Sequence, residues 1–224
     1  MTIFRRERRD PALPYLPDDP VSRQFGADRG KPVDRWYIED FLDRHRGDVR
    51  GRVLEVAENT YTEWYGDGEA RTSDVLYAAE GNADATVVGD LVTGEGLEEG
   101  RWDCFICTQT LQFIPDVQAA VKGIRSLLAP GGVVLATVPG ISQVSTVDDE
   151  AWGDWWRFNE KGIRRLFEQE FGPQNVTVER HGNVKAACAF LYGMAAEELS
   201  YEDLRTEDPD YHLLLCIRAH RPGV

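Results

Sequence analysis

The chain has 224 residues, 42% of them apolar, with 25 Lys and Arg against 39 Asp and Glu and a net charge of −14. That length suits one globular domain with a sizeable core, and so acidic a surface repels phosphate backbones and anionic lipid, so no nucleic-acid or membrane partner is expected. No run reaches the roughly 18 consecutive apolar residues of a membrane span and Met1–Pro20 lacks the apolar core of a signal peptide, so the expected location is the cytoplasm.

Residues 1–32 read as an extended arm, because Pro11, Pro14, Pro17 and Pro20 fall too close together for a helix. Its basic run, Arg5, Arg6, Arg8 and Arg9, reads as a solvated terminus. A helix follows, with Asp34 as its expected cap and Tyr37, Ile38, Phe41 and Leu42 at helical spacing. From Arg52 short apolar runs alternate with helical ones, the order of a parallel sheet with crossover helices. The expected strands are 52–56, 73–77, 85–88, 103–107, 132–138, 176–179 and 211–218. Val117, Ala120, Val121, Ile124, Leu127 and Leu128 form the clearest helical stripe, stopped by Pro130-Gly131-Gly132. Asn159 is the expected cap of a helix over 160–170. The stretch 184–199 is apolar nearly all round, which suits either burial under loops or a subunit contact, so a homodimer is admitted.

Four cysteines in a chain of this length do not suggest a disulfide framework. Cys104 and Cys107 lie three apart on an expected strand and so point to opposite faces, which argues against a shared zinc ion. The acidic residues Asp148, Asp149, Glu150 and Asp154 read as a solvated loop, and no metal is expected.

Open parallel sheets bind ligands beyond the carboxyl ends of their strands, near the point where strand order reverses. The loops that follow residues 56, 77, 88 and 107 are therefore the ones to inspect. The segment Trp102–Gly140 places Asp103 at the opening of a strand, Leu111–Asp116 as a Leu-x-aromatic-Ile-Pro-Asp turn before a helix, and Pro130-Gly131-Gly132 before the next strand. This resembles the fourth and fifth motifs of class I S-adenosylmethionine-dependent methyltransferases. With Arg52–Val56 as first strand and Val88-Gly89-Asp90-Leu91 after the third, the resemblance runs from about Arg52 to Gly140. The segments Arg29–Tyr37 and Trp152–Phe158 are similar to a methyltransferase-like branch often found beside glycosyltransferases.

The resemblance implies an α/β, Rossmann-like three-layer sandwich whose seven-stranded, mostly parallel sheet has an antiparallel last strand. It implies S-adenosylmethionine as cofactor, with 1–50 as arm and cap helix, 51–140 as the cofactor-binding half and 141–224 as the acceptor side of one domain. Asp90 matches the acidic residue that accepts the adenine amino group, and Leu91 the apolar residue beside the ring. Glu80 is the nearest acidic residue to the ribose position, with an exposed turn glutamate as the equal alternative. The family's acidic-x-Gly-x-Gly loop reads here as Glu55-Val56-Ala57-Glu58-Asn59-Thr60, without glycine. The methionine half would then rest on Ala57 and on backbone N–H groups at Asn59, Thr60 and Tyr61. Arg35 could hold its carboxylate, and Tyr37 could face the sulfonium. Thr108 and Gln109 should border both cofactor and acceptor. His181 is the expected base, with Gln109 as its catalytic companion, and Trp152, Trp155, Trp156 and Arg157 are the expected acceptor wall.

The activity expected is methyl transfer to a small molecule, at oxygen on a glycosylated or polyketide-like metabolite of natural product biosynthesis. The alternative is a methyltransferase-like protein with another reaction, or a binding or scaffold role.

Overall fold

A computed structural model describes residues 18–223, so the expected arm up to Pro17, including Arg5, Arg6, Arg8 and Arg9, lies outside the described residues. One sheet carries seven strands in the order β3-β2-β1-β4-β5-β7-β6. They are β1 (Gly51–Val56), β2 (Ala70–Tyr77), β3 (Val87–Val88), β4 (Trp102–Thr108), β5 (Leu128–Pro139), β6 (Val176–His181) and β7 (Leu214–His220). All neighbours pair in parallel except β7, which is antiparallel to both β5 and β6. Strand order reverses between β1 and β4, so a crevice opens beyond their carboxyl ends.

The helices are α1 (Val33–Arg44), α2 (Thr60–Tyr65), α3 (Val117–Leu127), α4 (Thr146–Trp152), α5 (Glu160–Phe171), α6 (Val184–Leu191) and α7 (Tyr201–Arg205). One sheet face packs Leu54, Phe105 and Cys107 against α3 and α5 through Val121, Ile124, Ile163 and Phe167. The other packs Val53, Cys104 and Ile106 against α1 and α6 through Tyr37, Ile38, Phe41 and Phe190. Cys104 and Cys107 thus lie in opposite layers, as alternation requires. Each buried Val, Leu, Ile or Phe contributes about 1.5–3 kcal/mol, so these two layers supply most of the fold's driving force. No helix among the described residues is long and apolar enough to cross a membrane.

Several boundaries differ from expectation for local reasons. β2 starts at Ala70 instead of Ser73, because Gly51 of β1 already pairs with Ala70 while the intervening Arg71 and Thr72 are exposed and polar. β3 keeps only two residues, since Ala85 is held in a turn by its N–H to the Asn82 carbonyl. β7 starts at Leu214, not Tyr211, whose N–H closes a turn on Asp208. Asp34 is not the cap of α1: Pro32 holds that position, and Asp34 lies in the first turn. α6 ends at Leu191, and Gly193 turns the chain at φ +73°, so 184–199 is not one helix; its Ala186, Ala187 and Phe190 are buried against the α1 layer.

Gly123 on α3 shows how helix packing reaches the crevice. A Cβ there would lie 2.0 Å from the carbonyl oxygen of Leu91, so only glycine lets α3 approach the turn after β3 this closely.

Candidate functional site

The carboxyl ends of β1 to β5, the start of α1 and the β5–α5 connection enclose a cavity of about 750 Å³. At its β1 wall Glu55 is 2% exposed, and its carboxylate accepts the N–H groups of Tyr61 (3.1 Å) and Thr62 (2.8 Å) and the Thr62 hydroxyl (2.7 Å). Burial raises its pKa to about 6, against the pull of those donors. The helix-start N–H groups that sequence offered to a ligand are therefore consumed at Tyr61 by Glu55. Ala57 lines the cavity at φ +71°, a left-handed conformation in a position where the family resemblance expects glycine. Asn59 and Thr60 do not line it: Asn59 Nδ2 turns to Glu63 (3.3 Å) and the Thr60 hydroxyl donates to Glu58 (2.9 Å).

At the β2 end Tyr77 and Ala78 line the cavity and Glu80 does not, so this strand end presents no carboxylate to it. The β3 end presents Gly89, Asp90, Leu91 and Val92. Asp90 Oδ1 accepts the Val92 N–H at 2.7 Å, which fixes the turn, and Leu91 is 5% exposed.

At the end of β4, Thr108 and the following Gln109 line the cavity, and Gln109 sits at φ +48°. Gln112 Nε2 donates to the Gln109 carbonyl (2.9 Å) and to its Oε1 (3.2 Å). Gln109 Nε2 and Gln112 Oε1 are buried without partners, one free donor and one free acceptor from the same pair. Groups of this kind cost about 1–3 kcal/mol when nothing meets them, so they favour a polar ligand.

Asp34 and Arg35 contribute from α1. The guanidinium makes one side-chain hydrogen bond, Nη1 to the Tyr61 hydroxyl at 3.1 Å, and no ion pair among the described residues. Burial works against its charge, but Tyr61, Asp34 and Glu58 outweigh that and keep it protonated. Burial raises the pKa of the Asp34 carboxyl, more than its neighbour Arg35 pulls it down. The family resemblance placed Asp34 with Arg35 on a helix that covers the cofactor, but sequence reading assigned Asp34 no role beyond a cap.

The β5–α5 connection contributes Ser142, Gln143, Ser145, Asp148, Trp152, Asp154 and Arg157. Arg157 is not free to bind an acceptor. Its Nη1 and Nη2 grip Asp154 at 2.5 and 2.8 Å, and its remaining N–H groups reach the carbonyls of Ser142, Gln143 and Trp156. All five donors are used, so it staples the loop. Trp155 and Trp156, unlike Arg157, lie outside the cavity: the Trp155 backbone N–H donates to the Gln112 carbonyl (2.9 Å) and Trp156 Nε1 to the Ile114 carbonyl (3.0 Å). Trp152 does line it, with its ring edge-on to Tyr77 at 5.7 Å and 84°.

His181 cannot serve as the expected base. It does not line the cavity; Nδ1 lies 2.9 Å from Glu207 and Nε2 3.4 Å from Glu179, and Tyr37 stacks on the ring at 5.5 Å. Burial alone would lower its pKa, but Cys216, Glu179 and Glu207 raise it above the ordinary histidine range, so the ring carries its proton at neutral pH. Tyr37, 1% exposed beneath this ring, is likewise core and does not reach the cavity.

The family model described as a methyltransferase domain matches residues 36–172. No curated protein matches the chain. A similar solved structure is Phospholethanolamine N-methyltransferase 2 of Haemonchus contortus with phosphomonomethylethanolamine and S-adenosylhomocysteine, at 16% identity and TM-score 0.54 over 84% of this chain. This chain spans about half of that protein, 53% of its length. A SAM-dependent methyltransferase from Archaeoglobus fulgidus matches at 13% identity and TM-score 0.54, covering 84% of this chain and 94% of that one. The [4+2]-cyclase SpnF matches at 13% identity and TM-score 0.55, covering 88% and 85%. At such identities these likenesses speak for the fold.

Proposed function

The chain belongs to the methyltransferase-domain family, and on that premise we propose that it transfers a methyl group from S-adenosylmethionine to a small-molecule acceptor in the cytoplasm. The observation that carries this reading is one cavity, at the reversal of strand order, that joins the Arg35 guanidinium, without an ion pair among the described residues, to the Asp90-Leu91 turn.

The donor set fits an amino-acid nucleoside. Arg35 would hold its carboxylate through free N–H groups, Glu58 its ammonium, Asp90 the exocyclic amine of its base, and Leu91 one face of the ring. When bound, S-adenosylmethionine supplies an electrophilic methyl on a sulfonium sulfur. The protein's share is alignment and exclusion of water, plus removal of a proton where the acceptor is a hydroxyl. Gln109 Nε2 and Gln112 Oε1 would orient such a hydroxyl, and Asp34, whose carboxyl is raised by burial, would take its proton. Phe113, Ile114 and Pro115 add an apolar wall next to this pair. Together they favour O-methylation of a largely apolar, hydroxylated metabolite, of the glycosylated or polyketide-like kind found in natural product biosynthesis. On this reading residues 51–140 hold the cofactor and the remainder of the single domain frames the acceptor.

The strained, glycine-free turn at Ala57 favours a second reading, in which the cofactor is bound and another reaction is catalysed. Calorimetry with S-adenosylhomocysteine tests the first claim: micromolar binding, about −8 kcal/mol, that weakens in Asp90→Ala supports it. No heat with a folded sample refutes it. Methyl transfer to a phenolic acceptor panel that falls about 100-fold in Asp34→Asn, with binding retained, supports the base; binding with no turnover across the panel favours the second reading.

A further inference from the structure

The sector of the cavity formed by the ends of β1, β2 and β3 is walled by Ala57, Tyr77, Ala78, Asp90 and Leu91. The β2 end carries aromatic surface where a carboxylate could have received ribose hydroxyls. Trp152, the last residue of α4, completes that wall although its helix follows β5, and its indole meets the Tyr77 ring edge-on at 5.7 Å and 84°. α4 buries none of its residues, so the apolar core does not hold it there. Its position is set just downstream, by the Arg157–Asp154 grip, the Trp155 N–H on Gln112 and the Trp156 indole on Ile114. Trp152 is 40% exposed, so much of its ring has no protein neighbour.

We propose that Trp152 and Tyr77, set at right angles, form two adjoining walls of an aromatic clamp for the nucleoside of the bound ligand, with Trp152 as a specificity-determining residue. The clamp rests on the cofactor reading above. Indole and phenol offer flat faces to a base or to the apolar face of a ribose, and stacking on one base is commonly worth a several-fold to hundredfold change in affinity. A clamp of this kind grips the nucleoside and leaves the amino-acid half to Arg35. Trp152 was expected on the acceptor side; its contact with Tyr77 moves it to the nucleoside side.

The test is calorimetric titration of the wild type, Trp152→Ala, Trp152→Phe and Trp64→Ala with S-adenosylhomocysteine and with adenosine. Trp64 is 55% exposed on α2 and outside the cavity, so it controls for loss of any surface indole. The clamp requires Trp152→Ala to weaken both ligands by a similar factor, on the order of tenfold, Trp152→Phe to recover most of it, and Trp64→Ala to match the wild type. Because α4 buries nothing, the melting temperature of Trp152→Ala should stay at the wild-type value, which separates lost contact from lost fold. Equal affinity of wild type and Trp152→Ala for S-adenosylhomocysteine overturns the clamp and leaves the cofactor reading standing. Adenosine binding that depends on Trp152, with no binding of S-adenosylhomocysteine, keeps the clamp and overturns the cofactor reading. Binding of neither ligand overturns both.

Discussion

Replacing Arg157 with Gln should open the β5–α5 connection without unfolding the domain. Asp154 is 2% exposed at its side chain and Arg157 27%, so the pair sits where an uncompensated carboxylate is costly. Without Arg157 the carboxylate keeps one hydrogen bond, from the Ser145 N–H at 3.1 Å. Breaking a buried pair on one side costs about 3–5 kcal/mol, and the partial exposure of Arg157 puts this case at about 3. That cost falls on the loop, because no residue of α4 is buried and the core layers do not depend on it. Hydrogen exchange at the Trp155 amide, bonded to Gln112, and the Gly153 amide, bonded to Asp149, should then accelerate about 100-fold, while β5 amides keep their rates. Asp154→Asn added to Arg157→Gln should recover much of the loss, since it removes the stranded charge. The pH dependence has a defined sign. Burial pushes the Asp154 carboxyl up, but Arg157 and the Ser145 N–H outweigh it and hold it below 3.8. The contribution is therefore complete above that value and disappears as pH falls through the lower folded value. Unchanged exchange at Trp155, or equal acceleration in β5, would refute the assignment of Arg157 as a loop staple.

Ala57→Gly should stabilise the protein by about 0.5–1 kcal/mol, because relief of a left-handed alanine exceeds the added chain entropy of glycine. The matching rise in melting temperature is about 1–4 °C, and a fall would show that the φ of +71° carries no strain. His181→Gln should leave methyl transfer within about twofold of wild type, because the ring lies outside the cavity. The same variant should remove a pH-dependent part of stability. A pKa raised in the folded state gives stabilisation that is complete below about 6.5 and lost as pH rises towards the folded value. Denaturant titrations from pH 6 to 10 should show wild type and variant converging; a constant difference contradicts the ion-paired imidazolium.

Alternation of apolar runs with helical stripes was enough to place seven strands and the α3 and α5 helices, because periodicity records which face of each element is buried, while the three-layer order came from the family resemblance. The strand-end rule and the family resemblance pointed to Asp90-Leu91 and Thr108-Gln109, and both pairs line the cavity because the topology gathers the ends of β3 and β4 there. Boundaries were less legible where polar residues continue a strand, as at Arg71 and Thr72, and close packing was illegible where a distant contact decides it, as at Gly123 inside α3 against Leu91. An amino-acid string does not record that contact, and a glycine inside a helix reads as a weak helix former until its neighbour is known.

The chemistry of individual side chains was decided by the tertiary structure. His181, Arg157 and Trp156 carry groups suited to catalysis or binding, and the fold spends all three on holding other parts of the chain. Asp34 and Gln112 looked unremarkable in sequence and face the cavity with a raised carboxyl and a free carbonyl oxygen. Residue type and spacing determine which groups a segment can offer and which elements it forms, since these depend on local geometry. Whether a donor, acceptor or charge remains available depends on which partners lie within about 3 Å, and those partners come from distant parts of the chain brought together only by packing.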